Sequence, residues 1–342
     1  AATGGNGVTV PGLVAAFRDL MQAPEHAQYL HWGATSQDIQ DSGQMLRLRQ
    51  TLSVAESELR ALLEGLARLA SDHADTPMAA RTYGLDELEE LRRRALLVQL
   101  AGAAGTASEL GADAPALRAA LAQALGLGDP GRGWHADRTP ILRIAGWLSR
   151  LCLALAKMGE DLVRATQSGV SEVRLGASGG SSTMPQNPVA PSALVALGRH
   201  ATGLSATLQQ PHAQQRDGAS WFTEWLTLPQ LVMSTAAALA HGRTLATGMQ
   251  PATEEMAATL GASRGLILAE ALSFALAETM PRPEAQAETK RLCALVRDSG
   301  KTLEQVARDA HPDLPASLFD AASQTGQAPA EARAFAKSVS AL

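Results

Sequence analysis

The chain is poor in aromatic residues. Phe, Trp and Tyr together make up 4% of its 342 positions, so a buried core has to be built mostly from Leu, Ala, Val and Met. Cysteine is scarcer still, with Cys152 and Cys293 far apart in sequence and each set in an Ala/Leu-rich helical pattern. That placement suits buried thiols in a reducing cytoplasm, and it offers no clustered ligands for zinc. The eight histidines show no HxxxH spacing and there is no CxxC, so we expect no metal site. An excess of positive charge is also missing. Lys and Arg number 29 against 34 Asp and Glu, a net charge of −5, which gives no footprint for nucleic acid. No apolar run reaches the ~18 residues of a membrane span. The opening "AATGGNGVTVPGL" has neither a basic n-region nor an apolar h-region, so it does not read as a signal peptide, and a cytoplasmic protein is expected. Alternating β-branched segments are almost absent as well.

What is present is helix. Between Pro24 and Pro77 there is no proline, and Leu52, Leu59, Leu62, Leu63, Leu66 and Leu69 recur at helical spacing among Arg and Glu. A second proline-free run joins Pro140 to Pro185. Further helical runs are expected over 86–111, 191–210, 230–250 and 263–279, and two shorter helices, "TLEQVARDA" and "EARAFAKSV", flank "HPDLPASL". The pattern predicts an all-α protein with helices longer than the globular average of about 11–12 residues, packed as a bundle. Broad apolar faces suggest that several chains share one bundle. With 342 residues the chain is long enough for two or three domains. We divide it into 1–43, carrying the first motif; 44–250, a central long-helix domain; and 251–342, a small C-terminal helical domain.

Four stretches break the helical pattern without being simple turns. In "HWGATSQDIQDSG" (31–43), His31, Thr35, Ser36, Gln37 and Asp38 place polar groups ahead of a long helix. Ser36 or Asp38 suits an N-cap, but one cap needs one residue, and a helix N-terminus also offers N–H groups to an anion. In "TPMAARTYG" (76–84), Arg81 and Thr82 suit a carboxylate and Tyr83 a weak acid, with a plain helix-to-helix turn as the alternative. In "QQRDGASWFTEWLTLPQ" (214–230), Arg216 fits an anionic substrate or an ion pair with Asp217, close to Ser220 and two tryptophans. The fourth is "GGSSTMPQNP" (179–188). Gly179 and Gly180 permit movement, Ser181 and Ser182 supply hydroxyls, and Asn187 supplies an amide. No GxxxxGK[ST] phosphate loop is present, which leaves a lid carrying a serine.

In this order the segments resemble the fumarase/aspartase superfamily. His31, Gly33, Thr35, Ser36 and Asp38 match its H-x-G-x-T-S-x-D. Gly180, Ser181, Ser182, Met184, Pro185, Asn187 and Pro188 match its G-S-S-x-M-P-x-K-x-N-P with one gap. The resemblance extends over nearly the whole chain. "GATSQDIQD", "LAGAAGTASELG", "WHADRTPI" and "QRDGASWFTEWLTLPQ" resemble the lactone-forming cycloisomerases of that superfamily, which serve aromatic catabolism; adenylosuccinate lyases tend to differ at the last of these. The resemblance implies a long-helix bundle with a tetrameric central core, sites collected from three subunits, a small polycarboxylate substrate, and no metal or organic cofactor. It implies Ser181 as general base with Ser182 beside it, and Tyr83 in the region of the acid. It assigns substrate binding to His31, Thr35, Ser36, Gln37, Asp38, Arg81, Thr82, Met184, Asn187, Arg216 and Ser220. A β-eliminating lyase releasing fumarate and an inactive homologue stand as alternatives. The chain departs from the pattern in three places. Two residues, one normally Lys, are missing between Pro185 and Gln186; the stretch after Gly84 is shortened; and Tyr83 stands where many members carry a His.

Overall fold

The structure, a computed structural model, describes residues 7–76, 87–176, 187–210 and 218–342. Its elements are almost all helical. In chain order they are α1 (Val10–Leu20), α2 (Pro24–Ala27), α3 (Ser36–Asp72), α4 (Glu87–Ala95), α5 (Ala114–Leu125), α6 (Thr139–Ala165), β1 (Val173–Arg174), α7 (Val189–Leu208), α8 (Gly218–Gly248), β2 (Gln250–Pro251), α9 (Thr253–Ala262), α10 (Ala269–Leu276), α11 (Arg282–Ser299), α12 (Leu303–Ala310) and α13 (Ala328–Ser340). Helices α3, α6 and α8 run to 37, 27 and 31 residues. The all-α expectation holds. The one small sheet among the described residues pairs β1 with β2 antiparallel, Val173 opposite Pro251.

The chain forms two compact units. The first collects 1–57, 83–155 and 196–238; the second collects 58–82, 156–195 and 239–342. Four of the five boundaries fall inside the helices α3, α6, α7 and α8, and the fifth, at 82/83, lies outside the described residues. In the first unit the fully buried side chains include Met45 and Leu52 on α3, Trp134 ahead of α6, Ile141, Ile144 and Leu148 on α6, and Leu231 on α8. With so few aromatics, density comes from interlocking aliphatic side chains and small residues. In the second unit a cluster of Leu272, Leu276, Leu292, Val296 and Leu303 joins α10, α11 and α12. The latter opens on a capping box, Thr302 with Gln305.

The second unit also contains a tight helix crossing at Gly159 of α6, where an added Cβ would stand 2.5 Å from the Pro191 carbonyl oxygen of α7. Glycine to alanine within a helix ordinarily gains about 1 kcal/mol. Here the obstacle is backbone, which no rotamer change relieves, and overpacking of this kind costs about 1–3 kcal/mol. Gly159→Ala is therefore expected to lower the midpoint of chemical denaturation despite its better helix propensity; a raised midpoint would show that α6 and α7 move apart freely.

Three helical expectations are corrected. The run 86–111 is α-helical only over Glu87–Ala95, with a short 3-10 helix at Ser108–Asp113. Between the two, Gly102 and Gly105 adopt φ of 71° and 74°, Ala107 has φ 54°, and the chain forms a loop whose N–H groups serve another element. The run 263–279 is broken by Arg264 and Gly265, both at positive φ, and resumes at Ala269. Conversely, Pro229 interrupts nothing: it lies inside α8, which begins at Gly218, well before the expected 230. It sits on the side of that helix facing away from this chain's own core.

Candidate active site

The head of α3 carries the first motif. Helix α3 begins at Ser36, with Thr35 ahead of it, and the cap runs backwards from the sequence expectation. The Asp38 Oδ2 accepts the Thr35 N–H at 3.0 Å, while the Thr35 carbonyl accepts the Asp38 N–H at 3.0 Å. Asp38 does more than cap. It is 1% exposed, and it also accepts the N–H of Ala101 at 3.1 Å, the N–H of Gly102 at 2.9 Å and His135 Nε2 at 2.7 Å. The ring nitrogen facing this carboxylate is the protonated one. Burial by itself would raise the Asp38 pKa, but the bonds from His135, Thr35 and Gly102 outweigh it and hold the carboxyl below its ordinary value. Asp38 is thus the post to which three segments are tied: 31–38, the loop 99–107 and the turn 132–138. Gly33 and Gly102 make that approach feasible. Both have positive φ, a Cβ on Gly33 would stand 2.5 Å from Leu110 Cδ2, and one on Gly102 would stand 2.9 Å from the Gly33 carbonyl.

Gln37 is buried beside Asp38, and its Nε2 donates to the His135 carbonyl at 3.0 Å. Its Oε1 and the Nε2 of His31 are buried polar atoms with no hydrogen-bond partner among the described residues. His31 itself is held at φ 69°. Ser36 and Thr35 are half-buried. Backbone donors at the start of a long helix, two hydroxyls and an imidazole make this corner suited to a carboxylate.

Three residues deeper along α3, a second buried network appears. Arg138 is 6% exposed and donates to two carboxylates. Its Nη1 and Nη2 reach Asp41 at 2.9 Å each, and its Nε and Nη2 reach Glu224 at 2.9 and 2.6 Å. Burial works against the charge, but Asp41 and Glu224 outweigh it and raise the guanidinium above its ordinary value. The Trp134 ring lies 4.8 Å from the guanidinium carbon. Gln99 ties in as well, donating to Asp41 at 3.2 Å and accepting the Trp134 N–H at 2.9 Å. His135 is also one of the residues lining a cleft of ≈ 270 Å³, with the Arg132–Asp137 ion pair among its walls. Asp137 also accepts the Thr139 N–H and hydroxyl at the start of α6; those bonds, with Arg132, bring its pKa down to about 2.

Ser220 lies in the first turn of α8, one turn before Glu224, and lines a cleft of ≈ 170 Å³ with Thr207, Gln210 and Thr223. Asn187 belongs to the second unit and is exposed just ahead of α7, its carbonyl accepting the Val189 N–H. Ser181, Ser182, Tyr83, Arg81, Thr82, Met184 and Arg216 lie outside the described residues. So do the two shortened stretches. Sequence reasoning did not single out Asp41, Gln99, His135, Arg138 or Glu224. The signal available was a charged residue in an otherwise apolar helical pattern, as with Glu224 between Phe222 and Trp225. Among the described residues no group of three His, Cys, Asp or Glu side chains is placed to hold a metal ion, and no single helix is long and apolar enough to cross a membrane.

Residues 84–203 match the lyase family model. The chain is 36% identical, over 364 residues, to the 3-carboxy-cis,cis-muconate cycloisomerase of Pseudomonas aeruginosa, an alignment covering 96% of this chain and 79% of that protein. It is 34% identical to the enzyme of the same name from Bradyrhizobium diazoefficiens, covering 95% and 80%. Among solved structures, the 3-carboxy-cis,cis-muconate lactonizing enzyme of Pseudomonas putida superposes with a TM-score of 0.87 at 30% identity, covering 99% of this chain and 84% of that one. The chain belongs to the fumarase/aspartase superfamily of lyases. These relatives are cycloisomerases or lactonizing enzymes by name.

Proposed function

We propose that this chain is a 3-carboxy-cis,cis-muconate cycloisomerase, acting in the breakdown of aromatic acids. The observation that carries the reading is the similarity to cycloisomerases along almost the whole chain, with the H-x-G-x-T-S-x-D motif intact at the head of α3. In the lactonising direction one carboxylate of the substrate adds to a double bond of the same molecule. The electron pair moves onto a neighbouring carboxylate as an aci-carboxylate, and a proton is delivered to the carbon α to it. In reverse, a base removes that proton. On this reading Ser181 holds and moves the proton, Ser182 orients it, and His31, Thr35, Ser36, Asn187, Arg216 and Ser220 meet the carboxylates. Stabilising the developing negative charge is the largest task of such a site. Gln37 and Asp38 are expected at the substrate as well; because they are buried, this reading instead places them behind the binding groups, where Asp38 holds Thr35 and His135.

We further propose a homotetramer with each site drawn from three subunits. Helix α8 supports this: Phe222, Leu226 and Met233 are 44%, 69% and 71% exposed, and with Pro229 and Ala236 they recur at three- and four-residue spacing, an uncovered seam of the kind a helix partner buries. The function test is incubation with 3-carboxy-cis,cis-muconate, following loss of the diene absorbance and the lactone by NMR, with light scattering on the same sample. Turnover to a lactone by a particle of four chains is expected. Absence of turnover, or release of fumarate from succinyl-type substrates instead, overturns the assignment, and a stable monomer overturns the assembly.

A further inference from the structure

The Asp41–Arg138–Glu224 triad is unusual in what it joins. Buried ion groups carry a desolvation penalty that their attraction barely offsets, so apolar side chains of similar volume would serve packing as well. The best-attested reason to keep such a group is registry. Each carboxylate here stands one turn behind a motif. Asp41 follows Asp38 by three positions on α3, and Glu224 follows Ser220 by four on α8. Among the described residues the guanidinium is the one group that touches both: it makes four N–H contacts, two on each carboxylate. Its own place is held by Trp134 against one face and by its chain neighbour Asp137, which accepts the Thr139 N–H at the start of α6. All of these groups lie in the first unit.

We infer that Arg138 is a positioning residue whose planar fork holds the first turns of α3 and α8 in one register, and with them Thr35, Ser36 and Ser220. That these three meet substrate rests on the proposed function; that the fork couples the two helix heads does not. A planar guanidinium addresses two carboxylates at fixed angles, which a lysine ammonium cannot do with the same charge. Misplacement by about 1 Å is enough to lose about 100-fold in rate.

The test is Arg138→Lys in the full chain, read by steady-state kinetics and by amide hydrogen exchange. At a temperature well below melting, with the far-UV circular dichroism of the wild type, KM for 3-carboxy-cis,cis-muconate should rise at least about tenfold and kcat/KM fall roughly 100-fold. A merely structural role would reduce the active fraction, lowering apparent kcat with KM unchanged. Exchange should quicken in 35–42 and 218–226 together, with 282–299 unaffected. Should Arg138→Lys not fold, Glu224→Gln, which keeps the shape and one acceptor oxygen, is read in the same way. A wild-type KM together with wild-type exchange, or faster exchange at one helix head alone, overturns the inference. If the wild-type protein does not turn over this substrate, the proposed function fails, and exchange at the two helix heads still decides the coupling.

Discussion

Asp38→Asn is expected to destabilise the protein by about 3–5 kcal/mol, the range for breaking a buried, hydrogen-bonded charged pair. The carboxylate accepts four donors from three segments, and it is 1% exposed. An amide of the same shape offers one oxygen and turns an NH2 group toward the remaining N–H donors. Those donors are then buried without acceptors, at about 1–3 kcal/mol each before relaxation. Urea denaturation followed by circular dichroism measures this; a loss under about 1 kcal/mol would mean that the three segments hold together without the carboxylate. The substitution has a pH signature too. The folded-state pKa of Asp38 lies below its ordinary 3.8, so its contribution is fully present above that value and is lost as pH falls through the lowered folded value. The wild type should therefore weaken in acid below about pH 4, and Asp38→Asn should flatten that part of the profile.

Ser181→Ala is expected to lower kcat by about 10²–10⁴-fold, the range for losing a positioned general acid or base, with the fold and assembly intact. A serine hydroxyl is a weak base in water. It takes a proton from carbon only where neighbouring donors stabilise the alkoxide and water is excluded. The same hydroxyl gives the proton back in the opposite direction, so both directions should fall together. Ser182→Ala should lower kcat less, since its assigned role is orientation. The readout is kcat in both directions with KM measured alongside. Near-normal turnover by Ser181→Ala would remove this serine as the base and leave the conversion to another group.

Much of this was legible in the sequence because it depends on short-range order. The 3.6-residue recurrence of Leu52, Leu59, Leu62 and Leu63 marks the buried side of α3 whatever the helix packs against, and all four are buried. The motif containing Thr35 and Asp38 announces a helix start because capping is local. The 86–111 stretch misled for the opposite reason. Its composition favours helix, but the N–H groups of Ala101 and Gly102 are taken by Asp38, more than sixty positions away, and a helix would have used them internally. Periodicity likewise sets no limit at Pro229, which lies inside α8 on the side away from this chain's own core. What sequence alone determined was that the chain is built of long helices, which face of α3 is apolar, and the superfamily. Only the tertiary structure decided that Asp38 is a buried anchor, that His135 is its partner, and that one arginine ties Asp41 to Glu224. Those pairings join residues 86 to 97 positions apart, and no pattern in a one-dimensional chain states which carboxylate will find which cation once water has been removed from between them.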